Sequence, residues 1–226
     1  MSLPEGWSGA EIVFFDCDST LASIEGIDEL AALRGADVAA WTAAAMAGEI
    51  PLDAVFRKRL ETIAPTAGDL EQVVGLYWGN RLPDAADTVA ALQESGIACH
   101  VISGGLYPAV APFAEMLGFD PDAIHAVPFP RSEQPLTTAI DTACAHPLAR
   151  DGGKPEVIAQ VCSRLAIAPE RAMLVGDGAS DLEASSGIGL FVGFGGFVTR
   201  AKVRDQAAVF LHEPSLAPIL PIAQPR

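Results

Sequence analysis

The stretch Ile12-Val13-Phe14-Phe15-Asp16-Cys17-Asp18-Ser19-Thr20-Leu21 decides how the rest of the chain is read. Four apolar, β-favouring residues in a row predict a strand buried on both faces, because a strand with one wet face would alternate apolar and polar positions. The run ends abruptly at two aspartates spaced two apart. Similar apolar runs recur at 98–102, 172–175, 190–192 and Val209–Leu211, with helical patterns such as Ala85–Glu94 and 156–165 between several of them. Strand and helix alternate, which predicts an α/β fold: a doubly wound, mostly parallel sheet covered on both faces.

Residues 22–83 break the alternation. They hold no convincing strand and read as helices near 26–34, 36–47, 52–63 and 68–78, punctuated by Gly35, Gly48, Pro51, Pro65 and Pro83. A helical block placed directly after the first strand predicts a small inserted cap domain over 22–83, on a core built from 1–21 and 84–226. Residues 127–153, with prolines at 128, 130, 135 and 147, read as a loop or hairpin excursion; His146 within it and His125 just before it read as loop residues.

Composition excludes several classes. The chain has 226 residues, with 29 Asp+Glu against 14 Lys+Arg, for a formal net charge of −15. That balance lacks the basic footprint of a nucleic-acid binder and does not suit an anionic membrane surface. With 50% apolar and only 19% charged residues, it is not a disordered acidic tail either. No apolar run reaches the roughly 18 residues that span a bilayer. The N-terminus lacks the basic-then-apolar pattern of a secretory signal. Cys17, Cys99, Cys144 and Cys162 are scattered, with no Cys-x-x-Cys spacing, so reduced thiols in a cytoplasmic protein are expected.

In open parallel sheets, ligands bind beyond the carboxyl ends of the strands. Three predicted strands end in residues with chemical potential: Asp16-Cys17-Asp18-Ser19-Thr20, Ser103-Gly104-Gly105 and Gly176-Asp177-Gly178-Ala179-Ser180-Asp181. An Asp-x-Asp at a strand end is an ordinary turn, or a nucleophile beside a general acid/base. Ser-Gly-Gly is a plain turn, or a hydroxyl and successive N–H groups that hold an oxyanion. Lys154, before a helix with Pro155 in its first turn, is a surface lysine or a cation for a phosphate oxygen. It is not a Walker lysine, because Pro155 stands at the Ser/Thr position. Asp177 and Asp181 cap a short helix over 182–186, or complete an oxygen-only metal site. Four carboxylates would repel a phosphate dianion unless a divalent cation and a lysine intervene, and oxygen ligands favour Mg²⁺.

Taken in order, Asp16-Cys17-Asp18-Ser19-Thr20-Leu21, Ser103-Gly104-Gly105, Lys154 and Gly176–Asp181 resemble the haloacid-dehalogenase-like (HAD) superfamily, and within it the phosphoserine phosphatase family. The similarity takes in Glu25-Gly26-Ile27-Asp28-Glu29-Leu30-Ala31, Ala45-Met46, Arg59 and Phe194-Gly195-Gly196-Phe197-Val198-Thr199-Arg200, and covers about residues 11–212. It implies a Rossmann-like core and a Mg²⁺-dependent hydrolase acting through an aspartyl-phosphate, with L-phosphoserine as substrate. Asp16 would be the nucleophile, and Asp18 the general acid/base with its backbone carbonyl on Mg²⁺. Asp177 would complete the metal site, supported by Asp181. Ser103, Gly104 and Lys154 would hold the phosphate. Glu25 would meet the substrate ammonium, Arg59 its carboxylate, and Met46 would line the pocket. Leu52 stands where the family usually carries Phe, and Ser180 where Asn or Thr is common.

The alternatives are the same chemistry on another small phosphomonoester, a phosphotransferase using the same intermediate, a haloalkanoate dehalogenase and a non-catalytic binding module. Asp18 and the Asp177/Asp181 pair argue against a dehalogenase, which needs neither metal nor acid there. The expected partner is a small phosphorylated, phosphoserine-like substrate, with no nucleic acid and no membrane; a homodimer is allowed for.

Overall fold

A computed structural model describes residues 3–46, 49–130 and 136–224; the side chains of Met46 and Leu52 also lie outside the described residues. In chain order the elements are β1 (Ile12–Phe15), α1 (Gly26–Arg34), α2 (Ala39–Met46), α3 (Leu52–Ile63), α4 (Ala67–Gly79), α5 (Ala85–Glu94), β2 (Ala98–Leu106), α6 (Tyr107–Met116), β3 (Ile124–Val127), α7 (Leu136–Cys144), α8 (Gly153–Leu165), β4 (Ala172–Gly176), α9 (Ala179–Glu183), β5 (Leu190–Phe194), α10 (Ala201–Gln206), β6 (Val209–Leu211) and α11 (Leu220–Ala223).

The six strands form one sheet in the order β3-β2-β1-β4-β5-β6, and every pairing is parallel. β1 lies between β2 and β4, with Ile12 opposite both Ala98 and Ala172. This is the point where strand order reverses, so the crevice at its carboxyl end is the expected ligand site. All four β1 side chains are fully buried, as the unbroken apolar run requires. Each contributes roughly 1.5–3 kcal/mol of burial, which fixes the strand that carries Asp16.

Four helices stand between β1 and α5, near the predicted bounds. Gly35 ends α1 at φ 64°, in the left-handed region that glycine tolerates. Thr66 and Asp69 form a reciprocal capping box at the start of α4.

Several expectations are corrected. β2 does not stop at Ile102: it runs on to Leu106 through Ser103-Gly104-Gly105, with a register shift against β3 between Ile102 and Leu106. β3 was not foreseen, because Ile124-His125-Ala126-Val127 is short and interrupted by a histidine. His125 is therefore a strand residue. Its Nε2 lies 3.0 Å from His100 Nδ1 and the rings stack at 5.3 Å. The excursion is neither loop nor hairpin among the described residues; it carries α7, whose apolar face (Ala139, Ile140, Ala143) is buried. Asp141 on α7 pairs with Arg57 on α3 at 2.7 Å. The short helix after β4 is Ala179–Glu183, not 182–186, and α8 begins at Gly153, placing Lys154 in its first turn.

Candidate active site

The strand ends bring three of the four acidic residues of the sequence motifs together. Asp16, Asp177 and Asp181 are buried, and one carboxylate oxygen from each lies within 4.8 Å of the others. Lys154 Nζ sits between two of them, 2.8 Å from Asp16 Oδ1 and 2.6 Å from Asp181 Oδ1. Asp181 can approach because Gly176 has no side chain: a Cβ there would lie 2.3 Å from Asp181 Cγ. The other oxygen of Asp181 accepts from Gly178 N–H at 2.9 Å, closing the turn after β4. Asp181 thus anchors the lysine to the β4 loop.

Arg200, just ahead of α10, donates from Nε to Asp177 Oδ2 at 2.8 Å and from Nη2 to Glu25 Oε1 at 3.3 Å. Thr20 Oγ1 donates to Asp177 Oδ1 at 3.3 Å. Glu25 Oε1 also accepts from Ser19 Oγ at 2.6 Å. Ser19 has φ 52°, an unusual conformation for a residue with a side chain, and it turns the chain sharply after Asp18.

Asp18 faces elsewhere. Its Oδ1 accepts from Gly26 N–H at 2.7 Å and from the Tyr77 hydroxyl at 2.6 Å. Its Oδ2 borders Gly105, where an added Cβ would stand 3.3 Å away. Ser103 is fully buried, and its Oγ accepts from Gly105 N–H at 2.9 Å. The register shift after Ile102 takes this Ser-Gly-Gly segment out of ladder pairing with β3.

Opposite the strand ends stands Arg59, on α3 and only 4% exposed. Its Nη1 donates to Thr42 Oγ1 at 3.3 Å, and its Nε has no partner among the described residues. One pocket is lined by Asp16, Asp18, Glu25, Gly104, Lys154, Ser180 and Arg59, with an apolar wall that includes Ile27, Leu30 and Phe56.

The electrostatics are those of a crowded, dry acidic site. Burial and then Asp181 push Asp16 well above the usual carboxylate range, against the pull of Lys154. Burial raises Asp177 to about 6, opposed by Arg200. Burial, followed by Asp18 and Asp177, raises Glu25 to about 8. Burial alone would depress Lys154, but Asp16 and Asp181 outweigh it and hold the ammonium above its ordinary value. Three buried carboxylates with oxygen donors only, carrying more negative charge than Lys154 and Arg200 cancel, suit a hard divalent cation. The residues present therefore fit the metal that the motifs imply.

Among the sequence-predicted site residues, Asp16, Asp18, Glu25, Arg59, Gly104 and Lys154 border the same pocket; Ser103, Asp177 and Asp181 do not line it, but bond to Gly105, Arg200 and Lys154 respectively. The Met46 side chain lies outside the described residues. Tyr77 was missed. With Leu70 and Val73 it reads as the apolar face of a helix, and nothing in that spacing points to an aspartate 59 residues away. Arg200 was quoted in a motif without a role; an arginine closely following Gly195-Gly196 at a strand end was the available signal.

A family model for haloacid dehalogenase-like hydrolases matches residues 10–189. The chain is 32% identical over 204 residues to the phosphoserine phosphatase of Bos taurus, covering 89% of each. It is 33% identical over 205 residues to the chloroplastic phosphoserine phosphatase of Arabidopsis thaliana, covering 89% of this chain and 68% of that one. A solved phospho-aspartyl intermediate analogue of phosphoserine phosphatase has the same fold, with a TM-score of 0.76 and 24% identity, over 96% of this chain and 100% of that one. With both its motifs and its fold shared in this way, the chain belongs to the haloacid dehalogenase-like hydrolase family.

Proposed function

We propose that the chain is a Mg²⁺-dependent phosphomonoester hydrolase that works through an aspartyl-phosphate on Asp16, and that its substrate is L-phosphoserine. The observation that carries the substrate is Arg59: a buried guanidinium with an unpartnered Nε, lining the same pocket as Asp16 and Asp18. A planar guanidinium suits a carboxylate, and the vacant donor is one the substrate would satisfy. Glu25, on the same wall, would take the ammonium, as the resemblance implies.

The chemistry follows from the positions. Asp16 attacks phosphorus, the bond from phosphorus to the substrate oxygen breaks, and Asp18 gives its proton to the departing alkoxide. Water then attacks the phosphorylated Asp16, Asp18 takes its proton, and the bond between phosphorus and Asp16 oxygen breaks to release phosphate. Ser103, Gly104 and Lys154 would hold the transferring oxygens. Lys154, tied to Asp181, keeps its proton. Asp16, Asp177 and the Asp18 carbonyl would hold the metal, which when bound neutralises charge between nucleophile and phosphate. We read α1–α4 as a cap domain over 22–83 that excludes water from the pocket.

The deciding experiment is a phosphate-release screen of small phosphomonoesters with and without Mg²⁺, including both phosphoserine enantiomers. Preferred turnover of the L form supports the reading. Equal rates on phosphomonoesters without a carboxylate overturn the substrate but leave the hydrolase.

A further inference from the structure

We propose that Tyr77 is a positioning residue for the general acid/base, fixing which oxygen of Asp18 handles the proton; this rests on the phosphatase reading above. Oδ1 of Asp18 accepts two hydrogen bonds, from Gly26 N–H and from the Tyr77 hydroxyl. Both of its acceptor directions are then committed. The proton that moves must therefore sit on Oδ2, the oxygen beside Gly105 of the Ser-Gly-Gly segment. In the first step that proton passes from Oδ2 to the leaving alkoxide. In the second, Oδ2 takes one from water. Tyr77 keeps its own proton throughout.

The placement of the phenol is constrained by its burial, by its ring and by its hydroxyl. Tyr77 is 1% exposed. Its ring stacks on Phe113 of α6, with centroids 5.1 Å apart and an interplanar angle of 15°. Its hydroxyl passes over Gly26, where a Cβ would lie 2.1 Å from the phenol oxygen. A glycine at the first position of α1 is a poor helix former, and here it leaves the space that the hydroxyl occupies. The same residue supplies the second donor through its backbone. Without the phenol, Oδ1 keeps one donor and the carboxyl group can rotate about its terminal torsion, which is intrinsically broad.

The test compares Tyr77→Phe, Gly26→Ala and Asp18→Asn with the unaltered protein. kcat/KM would be measured on phosphoserine, or on whichever alkyl phosphate the screen yields, and on p-nitrophenyl phosphate. This ratio covers only the steps through alcohol release. An alkoxide needs a proton to leave; p-nitrophenolate does not. Tyr77→Phe should lose about tenfold on the alkyl phosphate, the order of one hydrogen bond to a charged group, and under about threefold on p-nitrophenyl phosphate. Inhibition by inorganic phosphate should not change. Gly26→Ala keeps its N–H but drives a methyl group at the phenol, so it should show the same selective loss. The double variant should be no worse than the worse single one.

Equal losses on the two substrates in Tyr77→Phe, or none on either, overturn the proposal while Asp18→Asn shows the selective loss. An Asp18→Asn protein that keeps full activity on both overturns the acid/base reading itself, and the Tyr77 proposal with it.

Discussion

Two arginines reach the pocket from different sides, and they differ in how far the protein satisfies them. Arg200, from the core side, makes two ion pairs, with Asp177 and Glu25. Arg59, from the helical block, is more deeply buried and, among the described residues, makes one long hydrogen bond and leaves its Nε without a partner. Orphaned buried donors cost about 1–3 kcal/mol and are rare. On the core side the charges find protein partners, in Asp16–Lys154–Asp181 and Asp177–Arg200, with acid left over for a cation. The helical side is complete only with something else in the pocket. On the function proposed above, the difference would separate machinery that serves any phosphomonoester from a wall that selects one.

That division can be broken by substitution. Asp16→Asn should lower phosphate release by at least about a thousandfold on every substrate, as loss of a nucleophile does; turnover near the original rate would remove Asp16 from the chemistry. Chelation should abolish activity on all substrates alike, and added Mg²⁺ should restore it; activity surviving in EDTA would contradict the acidic core as a metal site. Arg59→Ala should raise KM for phosphoserine about 10–100-fold, the worth of a charge-assisted hydrogen bond, and leave p-nitrophenyl phosphate within about threefold. If both substrates suffer equally, the selective wall is not there.

The smallest effect lies outside the pocket and sharpens the contrast with its ion pairs. Burial lowers His100 and His125 to about 4, helped in His100 by its partner His125 and in both by Arg164. In an unfolded chain both would titrate near 6.5. Their contribution is whole above about pH 6.5 and is drawn down as pH falls toward 4, because the unfolded chain then binds protons that the folded one refuses. His125→Gln should flatten that acid limb by a few degrees of Tm between pH 6.5 and 4. An identical slope in the variant and the unaltered protein would show that the pair has no such role.

How much of this could be read in the sequence depends on the range of the forces involved. β1, β4 and β6 were legible because an unbroken apolar run has few other solutions, and the strand-end aspartates were legible because the sheet places its ligands there. β3 was not, since four residues containing a histidine carry no periodic signal, and its pairing with β2 is decided by tertiary contact. α7 was hidden by the prolines around it, although its apolar face is well formed. In the site, residue types were legible but partners were not. Lys154 was expected to meet phosphate; that its ammonium is shared between Asp16 and Asp181 depends on the close approach at Gly176. Tyr77 looked like any core aromatic, and only the juxtaposition of α4 with the end of β1 gives its hydroxyl a carboxylate to hold.

The placement of β1 at the centre of the sheet also has a consequence for how the protein comes to exist. The proposed nucleophile is made long before the groups that surround it: Thr20 and the Asp177 it bonds are 157 residues apart. At roughly 5–20 residues per second of synthesis, on the order of ten to thirty seconds separate the two. Until residues 172–176 follow, β1 lacks its β4 neighbour and Asp16 lacks the two carboxylates that crowd it. Residues through Arg200 must emerge before the acidic cluster, its lysine and its arginine can close around one another, so this centre rests on contacts of long sequence separation.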